Sequence, residues 1–363
     1  MNLRTPGPTP MPPMVVQALA QPMINHRGPE FAALLHDVTV GVQAVFQTQH
    51  DVLLLTASGT GGLEAAIANL FSPGDRLLAV IIGNFGERFA TIAERFGTDV
   101  QRLVFPSGHA ADPEVIAARL AADPQIAGVL VTHNETSTGV TNDLRAIAEV
   151  VRRAGPLLVV DGVSSVGSLD IRTDEWGIDV LVAASQKGWM VPPGVAMVSV
   201  SPRAWEAYGR ARLPRYYWDF GLARKEAARG QTPFTPAITV LYGLREALRL
   251  IQAEGLEAVF ARHRRIGAYT RAGLKELGLR LVPVDERYAS DTVTAFWVPD
   301  GWTDQALAER LRVEHDVVLA TGQGELSGRI LRIGHMGYVS EADIDQVLAA
   351  LRQTLTTRTA ATR

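Results

Sequence analysis

The stretch Val180-Leu181-Val182-Ala183-Ala184-Ser185-Gln186-Lys187-Gly188 sets five apolar residues directly against two polar ones and a lysine. Five apolar positions in a row leave no polar face, the pattern of a strand covered on both sides, as in a parallel sheet. Similar short runs recur at 52–56, 77–82, 100–104, 128–132, 157–160 and 196–200, with amphipathic, alanine-rich stretches between most of them. Strands alternating with helices predict an α/β domain with a mainly parallel, seven-stranded sheet.

Outward from that core, Phe31, Leu34, Leu35, Val38 and Val42 recur at helical spacing after Asn25-His26-Arg27-Gly28, predicting a helix over 29–46. Downstream, 237–277 reads as long helix broken near Glu254-Gly255. Short strands follow near 279–282, 292–297 and 329–333, then a last helix from 341 to about 351 and a frayed polar tail at 354–363. The chain divides on this reading into an N-terminal arm (1–20), a large domain (21–250) and a smaller C-terminal α+β domain (251–363).

A formal net charge of −3 with both signs interspersed leaves no basic stripe for a nucleic-acid backbone. The Pro- and Gly-rich N-terminus has no signal-peptide core and no apolar run has bilayer length, so neither export nor a membrane anchor is indicated and a cytoplasmic protein is expected. The chain has no cysteine, which removes disulfides, thiolate metal sites and cysteine nucleophiles together. Its histidines lack metal-ligand spacing, and no metal is expected.

The lysines are Lys187, Lys225 and Lys275. The last two lie among charged neighbours and read as solvated. Lys187 leaves the end of a buried strand, where loops of an open sheet line the ligand crevice. A poorly hydrated amine there favours its neutral form, which attacks carbonyl carbons; the alternative is an ion-paired or snorkelling lysine. Asp161 ends the apolar run Leu157-Leu158-Val159-Val160, either as a cap or, alongside Lys187, as the carboxylate that keeps the pyridine nitrogen of pyridoxal 5′-phosphate (PLP) protonated. Thr56-Ala57-Ser58-Gly59-Thr60-Gly61-Gly62 turns from strand to helix through small residues, and its free amides and hydroxyls suit a phosphate. Gly59-x-Gly61 also loosely fits a dinucleotide fingerprint, but the strand over 77–82 runs into Gly83-Asn84 with no acid for a ribose.

Taken together, Thr5-Pro6-Gly7-Pro8-Thr9, His26-Arg27-Gly28-Pro29-Glu30-Phe31, Ser58-Gly59-Thr60, Gly83-Asn84-Phe85-Gly86-Glu87-Arg88, His133-Asn134-Glu135-Thr136-Ser137-Thr138-Gly139, Asp161-Gly162-Val163, Ser185-Gln186-Lys187-Gly188 with Pro192-Pro193-Gly194, and Leu331-Arg332-Ile333-Gly334 resemble the class V aminotransferases of PLP fold type I. The likeness runs nearly end to end, and is to the alanine:glyoxylate and serine:glyoxylate (serine:pyruvate) group in particular. The resemblance implies that Lys187 binds PLP covalently and moves the substrate α-proton, and that Asp161 pairs with the pyridine nitrogen. It implies that Val163 and Phe85 pack on the ring, that Thr136 lies beside it, and that Ser58, Gly59, Thr60 and Gln186 hold the phosphate. Arg332 would grip the substrate α-carboxylate. Thr235 would reach the phosphate of a neighbouring subunit in a homodimer with sites at the interface. Two positions depart from the family pattern: Phe85 stands where tryptophan is common, and the tyrosine that often precedes Thr235 is absent.

Amino and 2-oxo acids are the expected small-molecule partners, with alanine or serine as donor and glyoxylate or pyruvate as acceptor in a ping-pong cycle. Cysteine desulfuration falls away with the missing cysteine. A phosphoserine- or aspartate-type class V aminotransferase, an NAD-dependent oxidoreductase and a silent subunit of a larger complex are the rivals; a phosphorylated substrate would need extra cations, for which Arg4 and Arg27 are candidates. His133 reads as a near-core histidine rather than a catalytic one. The aromatic loop Arg215-Tyr216-Tyr217-Trp218-Asp219-Phe220 is either interface or active-site wall.

Overall fold

The structure is a computed structural model that describes residues 1–361. Among these residues seven strands form one sheet: β1 (Asp51–Ala57), β2 (Arg76–Ile81), β3 (Asp99–Val104), β4 (Ile126–Thr132), β5 (Leu157–Asp161), β6 (Val180–Ala184) and β7 (Gly194–Val200). Their order across the sheet is β1-β7-β6-β5-β4-β2-β3. Only β7 is antiparallel to its neighbours, so the other six point the same way. These are the seven runs read from the sequence, with no end moved by more than two residues.

The apolar run 180–184 is buried on both faces, as its lack of alternation requires: Val180 and Val182 join one core cluster, Leu181 and Ala183 the other. Each such Val or Leu contributes about 1.5–3 kcal/mol relative to exposure. Helices α1 (Pro13–Leu19), α2 (Pro29–Phe46), α5 (Pro113–Ala122), α6 (Leu144–Ala154) and α7 (Ile238–Glu254) supply one cluster, and α3 (Gly59–Leu70) and α4 (Asn84–Arg95) the other. The break after α7 is Gly255 at φ +84°, from which α8 (Leu256–Glu276) restarts.

Beyond α8, a three-stranded antiparallel sheet of β8 (Val293–Trp297), β9 (Ala320–Thr321) and β10 (Ile330–Gly334) packs with α9 (Asp304–His315) and α10 (Glu341–Ala361). The expected strand at 279–282 shrinks to a bridge between Leu281 and Phe296, because Pro283 has no N–H to extend the ladder. The expected fraying from 354 is also corrected. Leu351, Thr354 and Leu355 continue the buried stripe at i, i+3, i+4, and the helix runs on to Ala361; residues 362 and 363 lie outside the described residues. No helix among the described residues is long and apolar enough to cross a membrane.

Candidate active site

Because six strands share a direction, the segments leaving β1, β2, β4, β5 and β6 emerge on one edge of the sheet. Asp161 and Lys187 meet there. Asp161 ends β5, accepting a bond from the Val163 N–H at 3.0 Å and from the Thr132 hydroxyl at 3.4 Å. Burial raises its pKa to about 6; the Val163 bond and the Lys187 charge pull down, and Glu135 pushes up. Lys187 is partly buried, its amine donating to the Pro6 carbonyl. Burial lowers that amine to about 8, with Asp161 pulling up and Arg332 and Arg88 pushing down. Lys225 is exposed, and Lys275 pairs with Glu286 on the surface.

The N-terminal arm crosses this edge. Asn2–Leu3 run parallel to Val317–Val318, the Arg4 carbonyl accepts from Gly334 N at 2.7 Å, and Thr9 bonds the carbonyls of Gln186 and Lys187 at 3.1 and 2.9 Å. Gly7 lies against the lysine at φ +113°, and a Cβ there would fall 2.6–2.8 Å from Lys187 side-chain atoms. The arm therefore links the lysine to the C-terminal sheet.

Ser58 precedes α3 without capping it through its side chain, so the opening turn of α3 has no side-chain cap beside the exposed Ser58 and Thr60. Gly59 permits Val163 to close on this turn, since a Cβ would lie 2.5 Å from a Val163 methyl carbon. Trp218 flanks the same turn, 3.1 Å from where a Gly61 Cβ would stand, and donates to the Thr56 carbonyl at 3.3 Å. That part of the aromatic loop is thus a wall of this site, while Tyr216 and Tyr217 remain exposed against Phe234. Thr235 is exposed and lines a shallow surface cleft with Thr56, Tyr217 and Trp218. His133 is buried and held neutral by burial, with a pKa of about 4.

Arg332 comes from β10 of the other sheet and is 5% exposed. Its Nε and Nη2 donate to the Thr321 carbonyl at 3.0 and 2.7 Å, and Nη1 to the Thr136 carbonyl at 3.1 Å. Burial lowers it to about 10, opposed by Glu135 and Asp304. Phe85 sits in the first turn of α4, the Arg88 guanidinium 4.7 Å above its ring. Arg27 instead ties down the segment before Thr235, bonding Gln231 and the carbonyls of Thr232 and Pro233, and Arg4 is buried beside Asp343 at 3.8 Å.

An amine, an acid, a helix start without a side-chain cap and a guanidinium come together at one edge, and the aminotransferase class V family description matches residues 1–347. The chain belongs to the class V aminotransferases. It is 44% identical to the small subunit of a soluble hydrogenase of Synechococcus sp. over 356 residues, covering 97% of this chain and 92% of that one. It is 42% identical to the L-aspartate–glyoxylate aminotransferase of Paracoccus denitrificans over 342 residues, covering 93% and 86%. A crystal structure of alanine–glyoxylate aminotransferase from Nostoc sp. superposes with a TM-score of 0.94 at 36% identity, covering 97% and 94%.

This class V aminotransferase is a PLP-dependent transaminase of fold type I. Its site fits the cofactor on independent grounds: the uncapped α3 terminus suits the phosphate, the Gln186 Oε1 is buried with no partner among the described residues, and Asp161 is a buried carboxylate suited to a cationic ring nitrogen. Three groups had no assigned part in the sequence reading. Glu135 lies inside the motif at 133–139, but nothing in its spacing marks a buried acid; Arg88, in the motif at 83–88, looks like any helical surface arginine; Asp304 is the first residue of an ordinary amphipathic helix.

Proposed function

We propose that the enzyme carries the amino group of a small amino acid, alanine or serine, to glyoxylate or pyruvate, with Arg332 gripping the α-carboxylate of donor and acceptor in turn. The observation that carries this is a buried guanidinium close enough to Lys187 to push its amine down: Arg332 is oriented by two carbonyls and keeps N–H groups of a planar fork for a bidentate carboxylate. PLP, when bound, supplies an electrophilic carbon and an electron-withdrawing ring. Lys187 would hold it covalently and, once freed, would move the proton from the substrate α-carbon to the cofactor's electrophilic carbon. An amine poised at about 8 is suited to both acts near neutral pH. Asp161, whose carboxyl burial raises to about 6, would pair with the ring nitrogen, a positive partner that favours its ionised form. Val163 and Phe85 would pack on the ring with Thr136 beside it; Ser58, Gly59, Thr60 and Gln186 would hold the phosphate, joined by Thr235 from a second subunit. A cytoplasmic homodimer with arm, large and small domains divided near residues 20 and 250 completes the proposal.

Arg88 favours a second reading. It is an exposed cation felt by Lys187, and it would suit the side-chain carboxylate of an aspartate-like donor. The hydrogenase name of one relative does not extend to iron–sulfur chemistry through thiolates, since this chain has no cysteine. Stopped-flow half-reactions with alanine, serine, aspartate and phosphoserine separate these readings. Alanine and serine should react fastest; preference for aspartate, abolished by Arg88→Ala, would establish the second reading instead.

A further inference from the structure

Glu135 is fully buried, and both of its oxygens are engaged. Oε2 accepts from the main-chain N–H groups of Phe85 and Gly86 at 3.0 and 3.1 Å; Oε1 accepts from the N–H and hydroxyl of Ser137 at 3.1 and 2.6 Å. The Ser137 hydroxyl in turn accepts from Asn84 N at 2.9 Å. The start of α4, which follows Gly83 and has no side-chain cap of its own, is thus capped from another segment by an anion, where a helix terminus favours one. Gly83 makes room for it: a Cβ there would lie 2.5 Å from the Glu135 Cγ. The next carbonyl along, that of Thr136, receives the Arg332 Nη1 bond. One pinned segment, 135–137, therefore fixes both the ring of Phe85 and the guanidinium of Arg332. Asp304 offers a contrast: its carboxylate accepts from Gln305, Gly322 and Gly328, pinning only the turn that follows Thr321.

We propose that Glu135 is a positioning residue for transamination, its negative charge setting Phe85 against the cofactor and Arg332 against the substrate carboxylate as one unit. This rests on the reading of Arg332 as the carboxylate clamp. Glutamine has the same volume but turns an N–H group toward donors that need an acceptor, so Glu135→Gln removes the function and keeps the shape.

The test compares Glu135→Gln, Asp304→Asn and Arg332→Ala holoenzymes by KM for alanine and glyoxylate and by the pH titration of the bound cofactor's absorption band. Glu135→Gln should raise both KM values together by about 10- to 100-fold, the scale of a lost alignment, and should also shift the band or its midpoint. Asp304→Asn should raise both KM values and leave the band in place. Wild-type KM values and band in Glu135→Gln, beside raised KM values in Arg332→Ala, overturn the proposal. Unchanged KM values in Arg332→Ala bring down the clamp reading itself. Should Glu135→Gln fail to fold, Ser137→Ala decides, because it removes one bond from the same carboxylate: a several-fold rise in both KM values with a band shift supports the proposal, and no change in either overturns it.

Discussion

Asp161 and Lys187 leave neighbouring strands of one sheet, each placed by the end of an apolar run; Arg332 comes from a different sheet and is oriented by the carbonyls of Thr136 and Thr321. The first pair depends on strand pairing and core packing. The guanidinium depends on two turns, each pinned by a buried carboxylate, Glu135 or Asp304. A site built this way has a rigid chemical half and a recognition half whose geometry is set at second hand. The two halves should therefore fail differently when altered.

The largest expected effect is on the chemical half. Lys187→Ala should still take up PLP loosely yet lose turnover, since general acid–base catalysis alone contributes about 10²–10⁴-fold. Borohydride reduction of the wild-type holoenzyme followed by peptide mapping should place the pyridoxyl group on Lys187; a label on Lys225 or Lys275 would refute the assignment. Asp161→Asn should fold normally and slow the α-proton step by orders of magnitude in single-turnover experiments.

The recognition half should lose binding rather than chemistry. Arg332→Ala should weaken donor and acceptor alike by about 2–5 kcal/mol in kcat/KM, and Arg332→Lys should restore only part of this because an ammonium cannot make two parallel bonds. Unequal losses for the two substrates would show that they do not share one clamp.

Smaller effects follow pH. Lys187 is lowered from 10.5 to about 8, so PLP uptake by the apoenzyme should rise with pH to a midpoint near 8. Arg332→Ala removes a charge that pushes the amine down, so it should move that midpoint up. Asp161 is raised from 3.8 to about 6, so its protonated form favours the folded apoenzyme. Its contribution to stability is present below about 3.8 and is lost as pH rises through about 6, which thermal melts of wild type and Asp161→Asn across that window will check.

The contrast also explains what the sequence made legible. Short apolar runs mark all seven strands, and a charged residue at or just past the end of two of them makes Asp161 and Lys187 stand out without coordinates. Arg332 came to notice only through likeness to a family. The groups that orient it are carbonyls, which every residue has, and Glu135 is buried by contacts with Phe85 and Gly86 some 50 positions away. Arg88 was hidden for the opposite reason: it is exposed, and only its place over Phe85 distinguishes it. The helix past 354 was missed because one threonine, Thr354, is buried where polar composition suggested solvent.

The arm over Lys187 sets an order of events during synthesis. Asn2 and Leu3 pair with Val317 and Val318, so these two residues must wait for more than three hundred others before their partner strand exists. At about 5–20 residues per second, that wait lasts on the order of tens of seconds. Until it ends, Pro6 and Gly7 lack the anchor that brings them against Lys187, and the lysine stands open at the sheet edge. This arm, made long before its partner strand, is therefore among the last segments to dock.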